Sequence, residues 1–413
     1  MDEESKKTLL RIEQNDDTFT NLVIGQTNND YGDGGGDNNN INKGRFMSAL
    51  DGDKLRLCTG IKGNKHITKL EVNLISLLGS GDIEGELHDG FKRNTSINEL
   101  ILRCEGRPII SGARRILEAY QTNNNLSDLC VLFANLEAGR GDEIIATTLQ
   151  CCTNLKAVNL YACSITASMV PPMVEAMRGI HSLENLSLNF NIIGNAGCEA
   201  LATLLEDPNC NITTLQLHDN DIGDLGVIFI ANSLTNNTKL QSLCLDGNPI
   251  TLSSVEDIFC RVLCDASSIS SIWSSNHTLS TLTLSSIIHQ HTQLGRLLQL
   301  NEGTNKRHVV MKKILQYHPH IDMKPFFGWD IDGEWTLKGL PYIIDWFNRA
   351  EVAVNDRGTR RVARAKDRVN YNVDQKKLTV IYEFAKAMPL RFVPTSHHTT
   401  VDDDGSKKKR KRG

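Results

Sequence analysis

The sequence predicts an α/β solenoid: a horseshoe with parallel strands on its concave face, helices on its convex face and a helical C-terminal cap. Three observations predict it. The pattern L-x-x-L-x-L-x-x-N occurs in full at Leu183/Leu186/Leu188/Asn191, Ile212/Leu215/Leu217/Asn220 and Leu240/Leu243/Leu245/Asn248. Its copies keep a nearly constant spacing. Between them lie near-matching helical stretches, such as Ile193–Leu205 and Ile222–Leu234.

Weaker copies extend the series at Ile67/Leu70/Val72, Ile97/Leu100/Leu102, Leu126/Leu129/Val131, Leu155/Val158/Leu160 and Leu279/Leu282/Leu284, and Cys163 replaces the Asn after the fourth of these. The starts Ile67, Ile97, Leu126, Leu155, Leu183, Ile212, Leu240 and Leu279 are 28–30 residues apart, except for a last gap of 39. That gap holds extra residues around Ser267–Asn276. Apolar residues at alternate positions line one side of a short strand, and strands separated by a helix pair in parallel. An Asn or Cys after the strand can satisfy backbone groups where the chain leaves the ladder. The stretches between carry a loop Gly, an N-cap candidate and apolar residues three and four apart, which is a helix signature. One such unit cannot bury its apolar face; stacked units can, and they curve.

In pattern, period and helix motif, residues 67–290 resemble the ribonuclease-inhibitor-type leucine-rich repeat. The resemblance implies a leucine-rich-repeat solenoid that binds protein, the unit also serving immune-receptor sensor domains and the activator of the Ran GTPase. The layout, a short horseshoe with an extra helical end, resembles single-horseshoe members found in diatoms and related algae.

The flanks read differently. Residues 1–18 read as an N-terminal tail, and 19–66 as a cap or first atypical repeat, with a further repeat copy at Phe19/Leu22/Ile24. Within it, 25–43 is a polar Asn/Gly-rich insert predicted to be disordered, and 44–63 is predicted to supply a first convex helix. The repeats fill 67–290. Residues 291–394 read as a helical cap or extension, with helices over 294–300, 309–317, 340–349 and 378–388. A last unit would otherwise expose its Leu core. Its aromatics, Phe326, Phe327, Trp329, Trp335, Tyr342 and Trp346, leave a separate binding module as the alternative. Residues 395–413 read as a disordered tail closing in the cations Lys407, Lys408, Lys409, Arg410, Lys411 and Arg412. Such a run is either a solvated end or a nuclear-import signal.

No enzyme chemistry is legible, and no catalytic residue, metal or cofactor is predicted. The sequence contains no G-x-x-x-x-G-K-[ST] loop, G-x-S-x-G elbow or H-E-x-x-H motif. The pairs His289/His291, His318/His320 and His397/His398 lack neighbouring ligands at metal spacing. Eleven Cys without a CxxC spacing read as free thiols in a reducing compartment, several of them core residues. The sequons at Asn94, Asn185, Asn211, Asn236 and Asn276 read as chance products of an Asn- and Thr-rich repeat. A net charge of −4 steers neither nucleic acid nor membrane. With a charged N-terminus and no long apolar run, the sequence predicts a monomeric cytoplasmic protein with a protein partner, nuclear import remaining open through the basic tail.

The register names the exposed strand positions, the second, fourth and sixth after each start. Their side chains are free to serve recognition. The candidate partner-binding residues are Arg103, Leu132, Tyr161, Asn189, His218, Asp246, Asn159 and Gln216, with Tyr161 as the anchor because interface hot spots favour Tyr and Arg near a patch centre. The predicted function is a non-enzymatic protein-binding scaffold. Regulation of a GTPase or another enzyme, and a nuclear adaptor role, are the alternatives. The acidic tail of the GTPase-activator relatives is replaced here by cations.

Overall fold

The computed structural model describes residues 1–25, 43–46, 51–73, 88–108, 111–284 and 292–318. The chain divides into two units, Met1–Lys313 and Ile314–Gly413. Of the second, the described residues are 314–318, so the helices expected over 340–349 and 378–388, the aromatic-rich segment and the basic tail lie outside the described residues. Most of the Asn/Gly-rich insert lies outside them too.

The first unit is built on one ten-stranded parallel sheet. Its strands are β1 (Asn21–Ile24), β2 (Lys43–Phe46), β3 (Lys69–Asn73), β4 (Glu99–Pro108), β5 (Asp128–Asn135), β6 (Ala157–Tyr161), β7 (Asn185–Ser187), β8 (Thr214–Gln216), β9 (Ser242–Cys244) and β10 (Thr281–Thr283). From β3 to β10 spatial order follows chain order. The register lines up Leu22, Leu70, Leu100, Leu129, Val158, Leu186, Leu215, Leu243 and Leu282 as one column, all buried. Burial of this column and of Val72, Leu102, Val131, Leu160, Leu188, Leu217 and Leu245 beside it supplies the hydrophobic drive that stacks the units.

Helices α1 (Glu3–Glu13), α2 (Asp51–Gly63), α3 (Ser111–Asn123), α4 (Gly141–Cys151), α5 (Val170–Met177), α6 (Gly194–Leu205), α7 (Asp224–Ser233) and α8 (Leu252–Leu263) connect the strands or precede them. From α3 to α8 each packs on the next. A short α9 (Ile269–Ser274) occupies the irregular gap before β10. Then come α10 (Gln293–Asn301), which packs on α8, and α11 (Lys306–Tyr317).

Two sequence expectations need correction at the N-terminal end. Residues 1–18 are not a tail: Glu3–Glu13 is a helix, capped by Asp2 accepting from Ser5 N at 2.7 Å. Its Ser5, Thr8, Leu9 and Ile12 form a buried stripe that the surrounding charges conceal in the sequence. The segment 44–63 is not one helix either, because Lys43–Phe46 pairs in parallel with β1, and helix begins at Asp51.

Asparagines hold the units together at both ends of the strands. At the eighth position after the start, Asn191 donates to Leu160 O (2.9 Å) and Leu188 O (2.7 Å), while its Oδ1 accepts from Cys163 N (2.9 Å) and Ile165 N (3.0 Å). Asn248 repeats the arrangement two units on. Cys163, as expected of an Asn substitute, donates its thiol to Val131 O at 3.2 Å. A second row lies three residues before the starts. There Asn64, Asn94, Asn237 and Asn276 each accept from two backbone N–H groups at the strand entrance. At Asn94 and Asn276 the residue two on, Ser96 and Thr278, adds its hydroxyl to its N–H as a donor to Oδ1.

Helix starts are also shared between units. Asn195, in the first turn of α6, accepts from Gly223 N and Gly226 N at 2.9 Å each and so caps α7. Asp224, its counterpart one unit later, accepts from Thr251 N at 2.8 Å, ahead of α8. Gly197 is required by close approach: a Cβ there would lie 2.3 Å from Ile193 Cγ2 and 3.1 Å from Val170 Cγ2.

Candidate partner-binding face

The strand residues that alternate with the buried column face away from it. On β3 and β4 they are spent on one another. Arg103 Nε donates to Glu71 Oε1 at 2.7 Å, and Lys69 pairs with Glu99. Arg103 is thus anchored in the face by the neighbouring strand while its side chain stays one-third exposed.

Along β5 to β9 the character changes. Leu132, Asn159, Tyr161, Asn189, His218 and Asp246 are half-buried, and Gln216 is exposed. The structure links several of them. Asn189 Nδ2 donates to Gln216 Oε1 at 3.2 Å, and its Oδ1 accepts from His218 N at 2.8 Å. Asn159 Oδ1 is shielded and accepts no hydrogen bond from a described donor.

Two residues missing from the sequence-derived set complete the centre. Phe133 and Phe190 sit at the seventh position after their starts, one beyond the exposed columns. The ring of Tyr161 lies 5.4 Å from Phe133, edge-on, and 4.8 Å from Phe190. Phe190 in turn meets the His218 ring at 4.8 Å, again edge-on. Four rings thus form a continuous row across four units. Its far end is acidic: His218 Nε2 lies 2.8 Å from Asp219 Oδ2. The Asp219 carboxylate covers Gly247, where a Cβ would fall 2.3 Å from Oδ1.

The seventh position is special in backbone terms. Phe133 (φ 55°), Ala162 (φ 52°), Phe190 (φ 59°), Asp219 (φ 49°) and Gly247 (φ 70°) are all left-handed. This kink turns the following Asn, Cys or Ala inward. Glycine takes such a conformation freely, but a bulky side chain is strained there by roughly 1–2 kcal/mol. Two phenylalanines hold it nonetheless. Phe190 keeps 40% of its surface exposed, so its ring is not placed there by core packing. A sequence signal existed: aromatic residues immediately before the inward position, at a place the sixth-position column narrowly misses.

All eleven cysteines are free thiols, and burial pushes those of Cys104, Cys152, Cys163 and Cys198 up to about 12. Among the described residues no group of three His, Cys, Asp or Glu is placed to hold a metal ion, and no helix is long and apolar enough to cross a membrane. Lys313, fully buried, donates to Leu263 O (2.6 Å) and Asn276 O (3.1 Å) and stands 3.1 Å from His277 Nδ1. It closes the last strand entrance, and burial lowers its pKa to about 7.

No protein-family model matches the chain. Among curated proteins it is similar to NACHT, LRR and PYD domains-containing protein 3 of Rattus norvegicus, with 25% identity over 47% of this chain and 21% of that protein. NACHT, LRR and PYD domains-containing protein 12 of Mus musculus is 30% identical over 35% of this chain and 13% of that protein. Ribonuclease inhibitor of Mus musculus is 28% identical over 37% of this chain and 33% of that protein. The chain thus spans a third or less of the length of each of these relatives.

Proposed function

We propose that this leucine-rich-repeat chain of the ribonuclease-inhibitor type is a non-enzymatic scaffold that recognises a partner protein through its strand face, centred on Tyr161. The observation that carries the reading is the row of partly exposed rings and amides on β5 to β8, which the core does not require. Leucine-rich-repeat relatives of both kinds support it. Inhibition of an enzyme is a second reading, favoured by the relatives named ribonuclease inhibitor. The test is affinity capture with the wild-type chain and with a variant in which Arg103, Tyr161 and His218 are all Ala. The expected result is a specific partner whose recovery falls at least about tenfold with the variant, as removal of a hot-spot cluster implies. Unchanged recovery refutes the reading.

A further inference from the structure

We infer that the ring row and its acidic end form a receptor for an arginine-bearing loop of the partner protein. This rests on the scaffold reading and names the partner's chemistry.

Four observations converge. First, the rings of Phe133, Tyr161, Phe190 and His218 are in sequential contact, giving a π surface that is partly open to solvent. Second, Phe133 and Phe190 are held in a left-handed backbone that a smaller residue at the same place, Ala162, occupies with less strain. The bulk of the two phenylalanines serves the surface and not the turn. Third, the row ends on carboxylates. Asp219 touches the row through His218, its N–H donates to Asp246 O at 2.9 Å, and Asp221 is exposed two residues on. Fourth, no Lys or Arg among the described residues is paired with them. The sixth and seventh positions of these five units read Leu132-Phe133, Tyr161-Ala162, Asn189-Phe190, His218-Asp219 and Asp246-Gly247, without a Lys or Arg. On β3 and β4, Lys69 and Arg103 are already paired with Glu99 and Glu71.

A row of partly exposed rings, tilted 50–77° to one another and ending in carboxylates, fits a planar cation. A guanidinium lies face-on over an aromatic ring and gives parallel N–H groups to a carboxylate at its edge. An ammonium makes the charge contact without the stacking, so arginine is preferred over lysine. An acidic or purely aliphatic segment would bury Asp219 and Asp246 without compensation.

The test uses the full chain and fluorescence anisotropy with a labelled peptide, Gly-Ser-Arg-Gly-Arg-Ser-Gly, beside the same peptide with citrulline in place of arginine. Citrulline keeps the shape and removes the charge. The arginine peptide is expected to bind at least about tenfold more tightly than the citrulline peptide. Phe190→Ala and Asp219→Asn are each expected to weaken it about fivefold or more. Both variants keep the fold, because Ala162 already holds the Phe190 conformation and Asn tolerates the left-handed one. Trp273→Ser, which removes an exposed ring on α9, leaves binding unchanged. Absence of arginine-peptide binding, equal binding of the two peptides, or indifference to both row variants overturns the inference. The scaffold reading fails separately. If a captured partner is lost with the Arg103, Tyr161 and His218 variant yet retained by Phe190→Ala and Asp219→Asn, only the arginine inference falls.

Discussion

Replacing Asn248 by Ala removes a side chain that serves four buried backbone groups at once, besides Asp246 O at 3.2 Å. Its Oδ1 accepts from Asn220 N at 2.8 Å and Ile222 N at 3.0 Å, and its Nδ2 donates to Leu217 O and Leu245 O at 2.8 Å each. Asn248, Asn220, Ile222, Leu217 and Leu245 are all buried. An orphaned buried polar group destabilises by about 1–3 kcal/mol. Four groups at the lower bound sum to about 4 kcal/mol, a large fraction of a domain's stability. Ala offers nothing in return, since the lost atoms are polar and the space they leave is lined by backbone. Asn248→Cys, imitating Cys163, retains one donor and is expected to lose less. Urea unfolding followed by circular dichroism measures both, with the exposed Asn154 changed to Ala as a surface comparison. A loss below about 1 kcal/mol for Asn248→Ala, or no difference between Ala and Cys, refutes the claim that this row carries the turns.

Other outcomes follow from the same contacts. Gly197→Ala should lower the melting temperature although alanine favours helix, because its Cβ would meet Ile193 and Val170; a rise in melting temperature counts against that packing. Burial, followed by the neighbouring Lys313, pushes His277 down to about 4. An unfolded chain then binds a proton at His277 near pH 6.5 that the folded chain refuses, so stability falls as pH drops from about 6.5 to 4. His277→Gln should flatten that part of the pH–stability curve, and an unchanged slope removes the assignment. Thiol alkylation at pH 8 followed by mass spectrometry should leave Cys104, Cys152, Cys163 and Cys198 unmodified until denaturant is added, since only the thiolate reacts. Rapid labelling of any of them in the native protein contradicts its burial.

The α/β solenoid was legible because its cause is periodic. Leucines at fixed offsets define the strands, and the register of Leu186, Leu215 and Leu243 follows directly. What periodicity does not mark was missed. The first helix escaped because Leu9 and Ile12 are few among many charges, and its burial depends on what packs over it. The asparagine row before the strands escaped because Asn64, Asn94, Asn237 and Asn276 lie outside the leucine pattern and act through hydrogen bonds to another unit's backbone. On the strand face, alternation placed Tyr161 and His218 among the partly exposed residues. It could not place Phe133 and Phe190, because the strand ends in a left-handed residue and strict alternation ends with it. Nor could it reveal that Arg103 is held by Glu71 on the neighbouring strand.

The shared asparagine turns also bear on how the chain is made. Asn191 completes a turn begun 28 residues earlier at Cys163, and Asn248 does the same for Asn220. On the ribosome the earlier unit therefore waits, its turn open, until the next has emerged. At roughly 5–20 residues per second that lag is on the order of seconds for each of these two units. Asn195 works in the opposite sense, since it is made first and stands ready when Gly223 and Gly226 arrive. Nascent chains stalled between Cys163 and Asn191 should thus expose a protease-sensitive turn that closes once the later asparagine clears the exit tunnel.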